Sequence, residues 1–312
     1  MHTKSTVLPN HLQVIEHFKS ILGPYVSKIK QVEKPADLRC ATIREPVLSY
    51  YVNNQGQIEG MRLNLHDDGK LLSKLMPSLN EISGSFKSLY LENIYIKDLN
   101  IFSELKNLEI LKIVNYPDNW ISAMVEYSKG ESRRKGLISE LKPLTKLNNL
   151  RELTLRGQQI TDLSPLSSLK GLVHLDVGYN HFKDIEPLGE LVNLESLSIC
   201  INRKIKDFRP LAKLTNLKSL LLTSTSIGKY PDQMSLIFPN LTNLKYLKLS
   251  YAMVENVEPL AHLENLEKLD LARNPVSDIE PLKGLKKLRD LNLSGTKVDP
   301  VPDWVPAEKA AQ

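Results

Sequence analysis

The sequence predicts an α/β fold: a horseshoe-shaped solenoid with a parallel sheet on its concave side and short 3₁₀ or α turns on its convex side. Two observations lead to it, a leucine pattern with a regular 22-residue period and a proline at a fixed place within that period. A third is size, because 312 residues with 41% hydrophobic side chains can bury a large core.

The repeat is clearest in three equally long segments, which begin at Leu147, Leu169 and Leu263 and share the template LxxLxxLxLxxNxIxDIxPLxx. The leucine that opens the LxL element recurs nine times along the chain, in steps of 22, 42, 22, 22, 23, 27, 22 and 22. Chance does not produce such a series. These markers are Leu89, Leu111, Leu153, Leu175, Leu197, Leu220, Leu247, Leu269 and Leu291.

Each part of the template predicts a local structure. In LxL the two leucines point to one side, as in a strand with one buried face. The asparagine that follows can bond free backbone groups in a turn, and the proline suits the first position of a helical turn. Other residues replace the asparagine in several repeats, which predicts an interrupted amide ladder: Gln158, Thr225, Ala252 and Thr296.

These motifs resemble leucine-rich repeats, and the DIxPLxxLxNL half is similar to the 22-residue class of bacterial internalins and of a regulatory subunit of protein phosphatase 1. The resemblance covers residues 88 to 301 and implies a leucine-rich-repeat horseshoe. We expect no signal peptide, wall anchor or immunoglobulin-like module, so surface adhesion is not carried over.

Three regions are predicted, in chain order. Residues 1–85 form an N-terminal cap with a helix over 10–22 and a hairpin across Asn54-Gln55-Gly56. Residues 86–301 form nine coils, and residues 302–312 form a C-terminal cap in which Trp304 covers the last coil. The apolar stripe of the helix is predicted to be Leu12, Ile15, Phe18 and Leu22.

The 42-residue step is one coil plus an insertion, residues 117–136, because Ile138 aligns with Ile160 of the next repeat. The insertion is predicted to hold a short amphipathic helix and a basic return loop. Either it packs on the edge of the solenoid, or it forms a wall beside the concave face and binds a partner. The second interpretation gives a further set of contact residues, Trp120, Tyr127, Arg133 and Arg134.

Composition narrows the function. The net charge of +5 is mild, with 41 basic and 36 acidic residues interspersed, which argues against nucleic acid. The two cysteines, Cys40 and Cys200, suggest neither a disulfide framework nor a zinc site. No apolar run long enough to cross a membrane is present. We expect a cytoplasmic monomer without cofactor, metal, small-molecule substrate or membrane partner, located in the host cell if it is a translocated bacterial effector.

Catalytic constellations are not predicted. His174 and Asp176 face the same side, but Cys200 lies ~13 Å further along the neighbouring strand. The repeated Asp162, Asp184, Asp207 and Asp278 are interpreted as acceptors of backbone N–H groups in turns, not as metal ligands.

The predicted function is therefore a non-enzymatic scaffold that binds a protein on its concave face. Two alternatives stay open: an enzyme with a site in the insertion or at His66, Asp67 and Asp68, and the recognition module of a larger signalling protein. The predicted contact residues are Tyr90, Lys112, Arg156, His174, Asp176, Tyr179, Ile201, Leu221, Tyr246, Lys248, Tyr251, Asp270 and Arg273.

Overall fold

A computed structural model of the chain describes residues 7–22, 28–34, 47–67, 70–115 and 137–305. It divides into two compact units, Met1–Gln159 and Ile160–Gln312.

The described residues of the first unit contain two α-helices and six strands. Its strands are neighbours in chain order; β2 and β3 are antiparallel, and the other pairs with a known register are parallel. The elements are α1 (Pro9–Leu22), β1 (Lys28–Val32), β2 (Val47–Val52), β3 (Ile58–Asp67), α2 (Lys70–Glu81), β4 (Ser88–Ile94), β5 (Ile110–Val114) and β6 (Glu152–Arg156), with 3₁₀ turns at Leu99–Phe102 and Lys142–Lys146.

The predicted hairpin is confirmed as β2 and β3. Asn53 closes its turn, because the Asn53 side-chain oxygen accepts hydrogen bonds from the backbone N–H groups of Gln55 at 2.9 Å and Gln57 at 3.0 Å. Gly56 has a φ of 78°, which a residue with a Cβ adopts only at a cost.

The predicted N-terminal helix is confirmed, but one residue of its buried stripe was predicted wrongly. Leu12 is 46% exposed, whereas His11 is only 4% exposed. His11 Nδ1 accepts a hydrogen bond of 2.9 Å from the backbone N–H of Ile58. This bond turns the His11 side of α1 toward the hairpin, and Leu12 consequently faces solvent.

We expect His11 to make the free energy of unfolding decrease as the pH is lowered. Burial lowers the pKa of His11 below its ordinary value of 6.5. The unfolded chain therefore takes up the proton first, so the stabilisation is present above pH 6.5 and is lost as the pH falls toward the folded-state pKa. Urea unfolding of the wild type and of His11→Gln over this range should show a difference that shrinks on acidification. A constant difference would contradict the assignment.

Helix α2 and strand β1 were missing from the prediction. The buried residues Leu72, Leu75, Met76 and Leu79 of α2 have the i, i+3, i+4, i+7 spacing of an amphipathic helix. This signal was present in the sequence. Pro77 lies inside the helix but is exposed, so it does not disturb the packing of that stripe.

As far as the structure describes it, up to residue 305, the second unit contains six strands in chain order, all parallel where their register is known. They are β7 (His174–Asp176), β8 (Ser196–Ser198), β9 (Ser219–Leu221), β10 (Tyr246–Lys248), β11 (Lys268–Asp270) and β12 (Asp290–Asn292). Helix α3 (Pro231–Ile237) precedes β10, and 3₁₀ turns lie at Ser164–Ser168, Glu186–Glu190, Arg209–Lys213, Ile227–Lys229, Phe238–Asn240, Glu258–Leu260 and Glu280–Gly284.

Every marker leucine lies in a strand between β4 and β12 and is 0 to 2% exposed, as the LxL element predicts. The prolines of the template begin the 3₁₀ turns, as at Ser164–Ser168 and Glu186–Glu190. Before each of these two turns an aspartate accepts a backbone hydrogen bond of 2.8 Å, Asp162 from Ser164 and Asp184 from Glu186. The turn-acceptor interpretation of these carboxylates is therefore confirmed.

The amide ladder is interrupted at Thr225, as predicted, but not at Gln158, whose side-chain oxygen accepts from Ile138 as that of Asn180 accepts from Ile160. Asn274 is 3% exposed; its side-chain oxygen accepts from the backbone N–H groups of Ala252 and Val254, and its amide nitrogen donates to three carbonyl oxygens. Asn202 accepts from the backbone of Asn180 in the same way. Thr225, in contrast, only donates its hydroxyl to Leu222.

The coil that contains the predicted insertion resumes where the alignment placed it. Ile138 N–H donates to the Gln158 side chain and Ile138 C=O accepts from Gln159, at 3.2 and 2.9 Å. Ile160 makes the same two bonds one coil later, at 3.1 and 2.9 Å, with Asn180 and His181. Residues 117–136 themselves lie outside the described residues.

The 27-residue step gives a coil with an extra helix that the sequence reading missed. Gln233 of α3 accepts from the backbone N–H of Phe208 at 2.7 Å and donates to the carbonyl of Lys206 at 3.1 Å, which fixes α3 to the preceding coil. Gly228, just before α3, donates its N–H to the carbonyl of Ala252 at 3.0 Å.

Candidate functional site

The candidate site is the face of the second unit's sheet that points away from the leucine core, called the outer face below. In each strand the central leucine is buried and the residues beside it are half-buried or exposed, with Ser198 as an exception. Strand alternation thus produces the face that the LxL element predicts. It presents His174 and Asp176 on β7, Leu221 on β9, Tyr246 and Lys248 on β10, and Asp270 on β11.

Beyond each strand of the second unit, the chain bends at a residue with a positive φ. These residues, called the rim row, are Tyr179, Ile201, Ser224, Tyr251, Arg273 and Gly295, with φ between 54° and 70°. The N–H of Tyr179, Ile201 and Ser224 donates to the next coil, to Cys200, Thr223 and Ser250 at 2.8 to 2.9 Å. The left-handed conformation is therefore a requirement of the coil, because it extends the hydrogen bonding between coils past the strands.

The residue types in the rim row do not follow from that requirement. Glycine adopts the left-handed region freely, and Gly295 shows that it is compatible with the coil. A larger side chain costs ~1 to 2 kcal/mol there, and the β-branched Ile201 is an outlier of a rare kind. Tyr251 and the nearby Met253, which has a φ of 63°, are also 55% and 50% exposed. Their large apolar side chains therefore gain little from burial.

Gly295 also makes room for its neighbour in the rim row. A Cβ on Gly295 would lie 2.7 Å from Cδ and 3.1 Å from Nε of Arg273. The exposed Arg273 side chain therefore lies over this glycine, on the side of the rim row away from Tyr251.

The charges on the outer face are largely compensated within the sheet. Lys248 Nζ lies 3.5 Å from Asp270, and Lys268 Nζ lies 3.4 Å from Asp290. Asp176 and Asp270 also accept backbone hydrogen bonds, from Gly178 at 2.9 Å and from Ala272 at 3.0 Å. These predicted contact residues therefore already have structural roles.

In the first unit the predicted contact residues are less available. Tyr90 was predicted to be exposed, but it is only 5% exposed, so this prediction is wrong. It packs against Val32 of β1 and against Tyr51, and β1 was the strand absent from the prediction. Lys112 lies 5.7 Å from the centre of the Tyr90 ring and 2.9 Å from Glu152.

Several other candidates stay untested. The insertion residues Trp120, Tyr127, Arg133 and Arg134 lie outside the described residues, as does Asp68. In the described ranges, no group of three or more histidine, cysteine or acidic side chains has a metal-binding arrangement. Cys200 is buried next to the Ser198 hydroxyl. None of the helices in the described ranges is both long enough and apolar enough to cross a bilayer.

A family model that describes two copies of a leucine-rich repeat matches residues 148–190 and 264–305. A comparison with curated protein sequences gives no significant match.

Among solved structures, an internalin (inlF) from Listeria monocytogenes is similar over 94% of this chain and 91% of its own length, with a TM-score of 0.55 and 21% identity. The receptor kinase GASSHO1/SCHENGEN3 of Arabidopsis thaliana, solved in complex with CASPARIAN STRIP INTEGRITY FACTOR 2, is similar over 86% of this chain and 32% of its ectodomain, with a TM-score of 0.55 and 19% identity. The plant peptide hormone receptor RGFR1, in complex with RGF2, is similar over 79% of this chain and 36% of its own length, with a TM-score of 0.51 and 18% identity.

Proposed function

From the leucine-rich-repeat fold of this chain, we propose that the protein is a non-enzymatic scaffold that binds a protein partner on the outer face of its second unit. The observation that carries the proposal is the rim row. Large side chains occupy left-handed positions there although glycine would relieve the strain, and Tyr251 and Met253 stay exposed. The coil requires the left-handed backbone but not a residue with a Cβ at these positions, and strained residues of this kind cluster at functional sites.

The composition of the surface supports a protein partner. Tyr179, Ile201, Leu221 and Tyr246 are partly exposed beside Tyr251 and Arg273 on five consecutive coils. Tyrosine and arginine anchors among apolar neighbours dominate the energetics of protein interfaces. The two plant receptors with the same fold were solved in complex with CASPARIAN STRIP INTEGRITY FACTOR 2 and RGF2, which is compatible with this proposal.

We expect Tyr179→Gly together with Tyr251→Gly to abolish partner binding while leaving the melting temperature equal to the wild type or higher. Removing two side chains that anchor an interface costs ~2 kcal/mol or more each, whereas glycine relieves the left-handed strain. The measurement is affinity capture from cytosol with mass spectrometry, together with thermal unfolding followed by circular dichroism.

Ser224→Gly is the matched control, because Ser224 has the same backbone conformation but a buried, small side chain. The control should capture the same proteins as the wild type. If the double tyrosine variant also retains them, the outer face is not the binding surface.

The division into an N-terminal cap, nine coils and a C-terminal cap is proposed as the organisation of the chain. Trp304 supports the last part of it, since its indole N–H donates to Glu280 at 3.0 Å in the preceding coil. Delivery into a host cell and binding by the insertion stay predictions.

A further inference from the structure

Five basic residues of the second unit lie in the same part of three consecutive coils, after the rim row and before the helix or 3₁₀ turn that carries the proline, and are called the basic edge below. Lys183 and Lys206 occupy the same place in their coils, directly after the buried Phe182 and Ile205, and Lys229 lies one position further along in the next coil, at the end of the Ile227–Lys229 turn. Arg203 and Lys204 lie beside Lys206, in the coil whose 23-residue step adds one residue. All five are exposed.

The basic edge differs in its pairing from nine of the thirteen other Lys and Arg residues that the structure describes in this unit. None of its five members lies within 4.0 Å of an acidic group that the structure describes, whereas nine other Lys and Arg side chains of the unit form ion pairs. Lys218 pairs with Glu195 of the neighbouring coil at 2.8 Å, for example. Alternation of sign between coils is thus the usual arrangement here, and the basic edge breaks it.

Nearby carboxylates do not neutralise the cluster. Asp184 and Asp207 accept backbone N–H groups in their turns, and Asp207 is also bound by Arg209 at 2.6 Å. At the position of Lys183 and Lys206 the preceding coil has Thr161 and the coil after Lys229 has Glu255, so the excess charge is confined to three coils. Burial lowers the pKa of His181, and the positive charge of Lys204 lowers it further. The field of the basic edge therefore reaches the half-buried His181 of the preceding coil.

Like charges stacked on neighbouring coils repel one another, so the arrangement carries a cost unless an anion binds. The rim residues Tyr179 and Ile201 lie two residues before His181 and Arg203, which places apolar and basic side chains side by side. Three coils span only ~10 Å. That length matches about three residues of extended polypeptide, and it is too short to follow several phosphates of a nucleic acid.

We propose that the basic edge is a docking site for an acidic polypeptide segment of the protein partner. The proposal rests on the proposed function in taking the partner to be a protein, and it adds the chemistry of the segment that this edge recognises. Acidic side chains would pair with the lysines, while apolar side chains of the same segment contact the rim row.

The test is the fluorescence anisotropy of a labelled peptide of alternating glutamate and serine, with a peptide of alternating glutamine and serine as its control. The wild-type chain should bind only the glutamate peptide, and less tightly at higher salt. A variant with Lys183→Gln, Lys204→Gln, Lys206→Gln and Lys229→Gln should bind the glutamate peptide at least about tenfold more weakly. Each exposed lysine contributes only modestly to the binding free energy, but the four losses add up.

A second charge variant removes the same number of lysines from ion pairs of the same unit: Lys170→Gln, Lys213→Gln, Lys218→Gln and Lys245→Gln. It should bind the peptide as the wild type does. Equal weakening by both variants, or equal binding of the glutamine peptide, would overturn the proposal. Preference for a single-stranded oligonucleotide or for phosphatidylserine vesicles over the peptide would overturn it too.

The capture experiment separates this proposal from the proposed function. If the basic-edge variant loses the partner and the double tyrosine variant retains it, the outer face is wrong and the basic edge stands. The reverse result leaves the outer face as the binding surface and removes the basic edge.

Discussion

Gly228→Ala should lower the free energy of unfolding by about 3 kcal/mol or more, the upper end of what overpacking a core costs. A Cβ at this position would lie 2.1 Å from the carbonyl oxygen of Met253, 2.2 Å from its carbonyl carbon and 2.4 Å from the nitrogen of Val254. All three atoms belong to the backbone, so no side-chain rotation relieves the overlap.

The surrounding hydrogen bonds prevent an easy shift of either chain segment. Gly228 N–H is bound to the carbonyl of Ala252 at 3.0 Å, and Val254 N–H is bound to Asn274 at 2.9 Å. The close approach of Gly228 therefore also helps to hold Met253 in its left-handed, exposed position beside the rim row.

Urea unfolding followed by far-UV circular dichroism measures this effect, with Gly284→Ala as the control. Nothing lies within 4 Å of a Cβ on Gly284, so this variant should be neutral or gain up to about 1 kcal/mol. A loss below about 1 kcal/mol for Gly228→Ala, small beside the overpacking range, would show that the two segments separate without much cost.

Asn274→Ala is expected to have the second large effect, a loss of about 3 kcal/mol in the free energy of unfolding. The side chain makes five hydrogen bonds to the backbone in a buried place, and alanine leaves two N–H groups and three carbonyl groups with one partner fewer. Each buried polar group left without a partner costs about 1 to 3 kcal/mol, partly offset where a carbonyl retains another bond.

The chain offers a matched control in Asn265, whose side-chain amide donates at 2.9 Å to the carbonyl of Thr242 on the preceding coil, at the surface. Asn265→Ala should lose at most about 1 kcal/mol, because water replaces the lost partner. The same urea unfolding experiment compares the two. Equal losses would mean that burial does not set the value of the amide ladder.

These two positions differ in how visible they are in the sequence. Asn274 stands at the asparagine of the template, and its bonding follows from a repeat that aligns without gaps. Gly228 lies in the coil with the 27-residue step, where the template is broken and α3 is inserted. Its importance comes from the short distance between that coil and Met253, which is remote in sequence, and no local pattern reports such an approach.

In the candidate site, too, some features follow from the repeat pattern and others depend on neighbours in space. The LxL template correctly predicted which side chains of β7 to β12 face away from the core, because alternation is a property of any strand. It did not predict that Tyr90 is covered by Val32, since β1 has no leucine pattern. Nor did it predict the left-handed rim row, because tyrosine, isoleucine and arginine give no sign of a positive φ.

The leucine and proline period of the sequence predicted the strand in each coil, the turn that its proline starts and the leucine core. It could do so because a repeat requires each coil to pack against copies of itself, so that a single period contains the rules for all of them. Features that depend on specific neighbours in space could be seen only in the folded chain. These are the burial of Tyr90, the approach of Gly228 to Met253, the strain in the rim row and the absence of described acidic partners along the basic edge.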